Sequence, residues 1–529
     1  MKQYTTIILV IFLFLVSFFS FLYFFENEMH LASGDAVSRM NISRKIVDNL
    51  TPGLAQLGNV WLPLPQLLML PFLSNYFLWQ TGIGGAIVSM SAYVVAGLFI
   101  YKAAKLLTNS TISGLVAVGV FSLNINVIYL QTTAMSEMLF LCFLAAAIYY
   151  FSKWIKFEDK MHLIPAAICV SCLTLIRYEA LAILLSSIPM VFAYTYLRSR
   201  KYHKAESNTI MYSVLACLGF GLWTIYLAAI FGDPLYWKNY YAGAQVSQEG
   251  AEQIKTFVFQ LSYVQAFWKY FTAVVWMNGL IPTAIALIGI PILFFKSVKE
   301  KSFYFLPVLL SLSVFAFMTL TLKRNTPINQ PELSMLNFMS PSTSVFNEFN
   351  IRYGILMLPM IALLCSYFFN IRFIVTKILI ILLMFVQFYT YFSPDFTVIY
   401  QYPIRINGGF EQKKPEKDGI VAWIQQNYDD GLIMISAQKH DPQMFRIGLD
   451  YKYYIHEGTG RYWKESIIHP QKYAKWIVMD PTNQGDQVTK FIGNSPSVAE
   501  YYDEVYTSGG TVIYRIKTKT DVPFQTLIN

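Results

Sequence analysis

Charged side chains are scarce in this sequence. Asp, Glu, Lys and Arg together make up 13% of its 529 residues, against roughly 25% in soluble globular proteins. With 55% of residues hydrophobic, the chain does not read as a string of soluble domains, although its length would allow several. Cysteine is also sparse. Cys142, Cys169, Cys172, Cys217 and Cys365 all fall in apolar runs, so the polar C-terminal part has none. That excludes a disulfide framework there, even in an oxidising compartment. Cys169 and Cys172 have CxxC spacing but no second pair and no nearby histidine, which favours ordinary packing over metal or redox chemistry. Short alternating strands of about 10 residues are missing, which excludes a membrane β-barrel. No clear repeat relates the two halves, and this weighs against a transporter built from repeated bundles.

Long apolar runs are abundant. Ile7–Phe25, Ile83–Tyr101 and Phe373–Phe392 each approach the roughly 20 helical residues needed to cross a ~30 Å hydrocarbon core. Backbone polar groups must be bonded internally there, so the runs are helices. About eleven spans are expected, near 6–25, 82–104, 111–131, 134–155, 161–177, 180–197, 209–231, 272–295, 303–322, 353–370 and 373–393. The first has one preceding basic residue, Lys2, and no small-x-small site near Phe24-Phe25-Glu26. It is therefore expected to be a retained span rather than a cleaved signal.

The basic residues orient these spans. With the N-terminus inside, cytoplasmic loops hold Lys102 and Lys105, then Lys153, Lys156 and Lys160, then Arg198, Arg200, Lys201 and Lys204. Lys296, Lys299 and Lys301 follow, and Arg372 and Lys377 come last. This is a positive-inside pattern. Trp61–Trp79 is a rival span, but Pro63, Pro65 and Pro71 interrupt it, and counting it would invert every later loop. It is read as interfacial or re-entrant, within a large outer loop over 26–81. Further outer loops are expected over 232–270 and 323–352. The net charge of +9 needs no nucleic acid, because anionic lipid beside the cytoplasmic loops accounts for it.

The expected fold is thus a polytopic α-helical membrane region, 1–398, followed by a linker over 399–418 and a small extracytoplasmic α/β domain over 419–529. In that domain Ile420–Tyr428 and Val488–Ile492 read as helices, and Leu432–Ser436 and Trp476–Met479 as short buried strands. Val505-Tyr506, the glycine pair Gly509-Gly510 and Thr511–Ile516 read as a terminal hairpin.

Charged groups at the outer ends of spans are the informative residues, since charge near lipid is costly and usually faces a cavity or a partner. Asp35 follows Gly34 at the start of a short amphipathic helix expected to lie on the outer surface. Its carboxylate is either a helix cap or a partner of Arg39, or a base at the membrane surface. Glu137, after Ser136, sits in the opening turn of a span, where a negative group suits the helix dipole. It either caps that helix or lines a cavity. Arg177-Tyr178-Glu179 lies between two spans. It is either a local Arg–Glu pair or a site for an anionic headgroup, because guanidinium suits bidentate phosphate contacts. Asp233, in Gly232-Asp233-Pro234, starts a turn ahead of the aromatic run Tyr236-Trp237-Lys238-Asn239-Tyr240-Tyr241, which anchors at the interface or stacks on sugar. Arg352-Tyr353, after Asn347-Glu348-Phe349-Asn350-Ile351, opens a span. A cation there opposes the macrodipole, and an anion partner would resolve the conflict.

In order, Gly34-Asp35, Gly58-Asn59-Val60-Trp61-Leu62-Pro63-Leu64-Pro65, Arg177-Tyr178-Glu179, Arg352-Tyr353 and a soluble tail resemble the GT-C superfamily of polyprenyl-phosphate-sugar-dependent glycosyltransferases. The closest likeness is to the protein O-mannosyltransferase and aminoarabinose-transferase group. The resemblance covers about residues 1–393. It implies an inverting transfer from a polyprenyl-phosphate-linked sugar donor to a protein, lipid or polysaccharide acceptor. Asp35 would be the general base. Arg352 and Arg177 would hold the phosphate, and Glu179, Tyr353, Glu137 and Asp233 would line the substrate site. Many members carry Asp-Glu in the first loop, whereas here Ala36 follows Asp35. No cofactor is therefore assigned, and a divalent metal stays open. A lipid-linked-sugar flippase or transporter is the alternative reading.

Overall fold

A computed structural model of the chain describes residues 2–237, 262–300, 302–325, 351–370, 373–389, 419–483 and 485–517. The 399–418 linker, most of the 232–270 and 323–352 loops, Lys301, Arg372 and the Lys238–Tyr241 and Asn347–Asn350 stretches lie outside them. The chain divides into two compact units. One comprises residues 1–32, 59–65 and 86–411, and the other 33–58, 66–85 and 412–529. Segments 33–58 and 66–85 group with the C-terminal segment in this division.

The first unit is helical. Among the described residues, eight helices are long and apolar enough to cross a membrane: Tyr4–Glu26, Ile83–Thr108, Glu137–Phe157, Ala180–Ser199, Tyr202–Phe231, Leu280–Lys299, Phe305–Lys323 and Arg352–Phe369. Three expected spans are present as shorter apolar helices. Thr111–Ser122 stops at Leu123 and resumes as Ile125–Leu130, where Asn124 caps the new helix through the Asn126 and Val127 N–H groups. Lys160–Thr174 and Ile374–Tyr389 are the other two. The expected 272–295 span is in fact two helices, Tyr263–Asn278 and Leu280–Lys299. Gly279 parts them at φ 88°, a left-handed conformation that side chains rarely tolerate.

Burial sorts these helices. The most apolar stretch of Tyr4–Glu26 is 22% buried, whereas those of Glu137–Phe157 and Arg352–Phe369 are 78% and 89% buried. The last two form the interior, so polar groups on them must find partners inside the protein. Tyr263–Asn278 packs closely on the 3₁₀ turn Ile351–Met357. A Cβ at Gly354 would lie 2.2 Å from the Ala273 carbonyl oxygen, a contact with backbone that no rotamer change relieves. Gly354→Ala should therefore cost on the order of 1–3 kcal/mol. It should be seen as a lowered thermal unfolding midpoint in detergent, reported by a thiol-reactive dye on the buried Cys365.

The second unit is α/β. Five strands run in the order β2-β1-β3-β5-β4: β1 Ile433–Met434, β2 Tyr454–Ile455, β3 Trp476–Met479, β4 Tyr502–Ser508 and β5 Thr511–Ile516. β1 pairs in parallel with β2 and β3, and β5 pairs antiparallel with β3 and β4. Gly509 and Gly510 both have positive φ and close the β4–β5 hairpin. Helices Gly419–Asn427 and Gln487–Ile492 match expectation. The two-residue β2 and the helices Ala437–Ile447 and Arg461–Ile468 went unforeseen, because their apolar runs are too short to signal.

The helix Gly34–Lys45 is not a surface helix. Ala36, Val37, Arg39, Met40, Asn41, Ser43, Arg44 and Lys45 are all buried: Ser43 and Arg44 donate to the Gln66 and Leu73 carbonyls, and Asn41 and Lys45 meet Asp441 of the C-terminal segment. Trp61–Trp79 contains the helix Leu64–Leu73, with Pro71 inside it, and ends within the helix Tyr76–Gln80. The longer has 10 residues, about 15 Å at the usual rise, half of what a span needs.

His456 is buried in this unit, and its Nδ1 accepts the Gly458 N–H at 3.0 Å. Burial, and then the charge of Lys45, hold the imidazole well below its usual 6.5. The unfolded chain therefore takes up this proton first as pH falls. The unit should lose stability below about pH 6.5, by at most about 1.4 kcal/mol per pH unit for this group. Thermal unfolding of the full chain between pH 7.5 and 5 should show the slope, and His456→Gln should flatten it.

Candidate functional site

Five of the seven sequence-selected residues meet inside the membrane unit. Glu137 opens the helix Glu137–Phe157, where the dipole favours a carboxylate. Its side chain is fully buried. One oxygen, Oε1, lies 3.1 Å from Arg177 Nη1 and 3.2 Å from Arg352 Nε. Arg177 also donates to Ser136 Oγ at 3.2 Å and, through Nη2, to Glu179 Oε1 at 2.7 Å. The local Arg177–Glu179 pair is thus present, and Glu137 extends it.

Arg352 lies in the 3₁₀ turn that leads into the helix Leu358–Phe369. The anion partner demanded by its place at a helix start is Glu137. Both arginines are about nine-tenths buried, and both reach the Tyr353 ring. The Arg177 Cζ stands 4.6 Å from its centroid and that of Arg352 5.9 Å, a cation–π arrangement that grows stronger when desolvated. Tyr270 donates its hydroxyl to the Tyr353 carbonyl at 3.1 Å, and Asn278 Nδ2 donates to the Gly354 carbonyl at 2.9 Å. The arginine-bearing turn is fastened at two points by one helix, Tyr263–Asn278.

The Trp61 motif borders this cluster. Tyr178 donates its hydroxyl to the Val60 carbonyl at 2.9 Å, and Leu64 N donates to the Leu175 carbonyl at 3.0 Å. Leu62 packs against Trp223 and Leu227. Trp237, an expected interface anchor or sugar platform, stacks on Tyr178 with ring centroids 4.8 Å apart.

Two guanidinium groups and two carboxylates make the cluster neutral by formal charge. Neutrality permits its burial, since an uncompensated charge here would be prohibitive. The two arginines converge on a single oxygen, a geometry suited to an oxyanion.

Asp233 instead serves a turn, its carboxylate accepting the Leu235 N–H at 2.8 Å. Asp35 belongs to the other unit. It is partly exposed, in the first turn of Gly34–Lys45, and the cap position is Ser33 rather than Asp35. Among the described residues, no three His, Cys, Asp or Glu side chains gather as a metal-ligand group. Tyr270 was missed because one tyrosine among 36 carries no signal of its own.

The sequence matches no protein family model and no curated protein. Solved structures do resemble it. ArnT from Cupriavidus metallidurans, in a crystal structure bound to undecaprenyl phosphate, superposes with a TM-score of 0.54 at 11% identity, over 98% of this chain and 99% of that one. The Archaeoglobus fulgidus oligosaccharyltransferase in its apo form gives a TM-score of 0.51 at 11% identity, over 99% of this chain and 76% of that one. The chain is a multi-pass integral membrane protein with the fold of the GT-C glycosyltransferases.

Proposed function

We propose that this chain is an inverting glycosyltransferase that moves a sugar from a polyprenyl-phosphate donor to an acceptor hydroxyl at the outer membrane face. The observation that carries the reading is the buried arginine pair converging on one glutamate oxygen in a protein of GT-C fold. The undecaprenyl phosphate in the ArnT structure supports the donor class.

In this mechanism the Asp35 carboxylate takes the acceptor's hydroxyl proton as general base. The acceptor oxygen attacks the anomeric carbon, and the bond from that carbon to the phosphate oxygen breaks. The lipid phosphate leaves with the bonding electrons, and the configuration inverts. Negative charge grows on the leaving phosphate, so cations already held in place lower the barrier. Arg352 is the first candidate for this role and Arg177 the second. Tyr353, Glu179 and Glu137 keep the guanidinium groups aligned. The positive-inside pattern supports an extracytoplasmic C-terminal segment, and the acceptor is a protein, a lipid or a polysaccharide.

Purified protein in nanodiscs, given a panel of undecaprenyl-phosphate-linked hexoses and pentoses, should release undecaprenyl phosphate from at least one. Movement of intact lipid-linked sugar across sealed vesicles, without release of lipid phosphate, would instead establish the flippase reading.

A further inference from the structure

We propose that Asp441, in the C-terminal segment, is a positioning residue for the Asp35 base. The inference rests on the function proposed above. It makes the C-terminal segment part of the catalytic apparatus.

The geometry lies within the second unit. Asp35 stands in the first turn of the 12-residue helix Gly34–Lys45, and Asn41, Arg44 and Lys45 stand in its last turns. Asp441 uses both carboxylate oxygens on that far end. Lys45 Nζ donates to Oδ1 at 2.7 Å, and Asn41 Nδ2 donates to Oδ2 at 2.9 Å. Asn41 Nδ2 also reaches the Asp441 carbonyl at 3.2 Å. The other face of the Asn41 amide accepts the Trp79 indole N–H at 3.1 Å. Asn41 and Trp79 are wholly buried, and Lys45 and Asp441 are more than nine-tenths buried. Arg44 adds a second tether, with Nη2 3.1 Å from Asp450 and Nε 3.0 Å from Asp48. Asp48 in turn accepts the Tyr451 N–H at 3.0 Å.

These contacts do more than hold the helix down. Asn41 and Lys45 are four residues apart and share one stripe. Fixing both to a single carboxylate fixes rotation about the helix axis. Each residue adds about 100° and 1.5 Å, so the direction of the Asp35 side chain follows from that rotation. An apolar contact of equal area would bury the helix as firmly, and replacing buried ion pairs by apolar groups is often neutral for stability. Directional groups specify the angle, and a general base requires that angle. A displacement of about 1 Å can cost 100-fold in rate.

The test uses the full chain in nanodiscs, with whichever undecaprenyl-phosphate sugar of the panel supports turnover. Asp441→Asn should lower kcat by 10- to 100-fold with the donor KM unchanged. Asn41→Ala should act in the same direction while keeping every charge. A spin-label pair at Gly34→Cys and Lys464→Cys, in a Cys217→Ser background, should give a narrow distance distribution that broadens in either variant. An Asp441→Asn protein that is folded and keeps wild-type kcat, or changes only the acceptor KM, overturns the proposal. If Asp441→Asn fails to fold, an unaltered kcat in Asn41→Ala overturns it. Full activity of Asp35→Asn would remove the base itself, and so separates failure of the functional reading from failure of this one.

Discussion

Asn in place of Asp35 is expected to give a folded protein that releases no undecaprenyl phosphate above background. The substitution keeps size and shape and removes the capacity to take a proton. General-base catalysis typically contributes 10²- to 10⁴-fold, so loss of the base should reduce kcat by about that factor. The structural cost is small. Asp35 is partly exposed and is not the cap of its helix, and a carboxylate in a first turn contributes only about 0.3–1 kcal/mol through the dipole. Thermal unfolding and donor binding should therefore stay near wild type while turnover disappears. Substantial transfer by a well-folded Asp35→Asn protein would remove Asp35 from the mechanism.

The second large effect falls on stability. Glu137→Ala leaves Arg177 and Arg352 without the oxygen they share, in an interior where both are buried. Removing one partner of a buried ion pair costs roughly 3–5 kcal/mol, a large part of the 5–15 kcal/mol that holds a typical domain together. The unfolding midpoint should fall by several degrees, with buried thiols such as Cys142 and Cys365 reacting at lower temperature. Adding Arg352→Met should restore part of the loss, because it removes the surplus cation while leaving the Arg177–Glu179 pair in place. A double variant as unstable as the sum of the two single variants would show that the cluster is not energetically coupled.

Much of the membrane unit was legible because charge near lipid is conspicuous. Glu137, Arg177, Glu179 and Arg352 stand out as isolated charges at the ends of apolar runs, and the structure brings all four together. The local Arg177–Glu179 pair was legible as one of two readings, but the joining of both arginines through Glu137 was not. The helix dipole says that Arg352 needs an anion, but nothing local says that Glu137 supplies it. The break at Gly279 was hidden because the apolar character continues across it, and only backbone conformation divides the two helices. The second unit shows the reverse case. Its strands β3 and β5 are dense in Val, Ile and aromatic residues and were found, whereas Lys45 and Asp441 look like ordinary surface charges in polar sequence. Burial alone gives them significance, and burial is a property of the assembled unit.

The discontinuity of that unit also sets a timetable. Lys45 and Asp441 are 396 residues apart in the chain, and nearly the whole membrane region is synthesised between them. At roughly 5–20 residues per second, the loop that carries Asp35 waits about 20–80 s for the segment that covers its polar face. During that interval Asn41, Lys45 and Arg44 lack Asp441 and Asp450, and only the partners from the same stretch, such as Asp48 for Arg44 and Trp79 for Asn41, are at hand. The helix that carries Asp35 is therefore seated only after synthesis has passed Asp441, and a nascent or truncated chain ending before that residue would carry the arginine cluster together with a helix that lacks its Asp441 anchor.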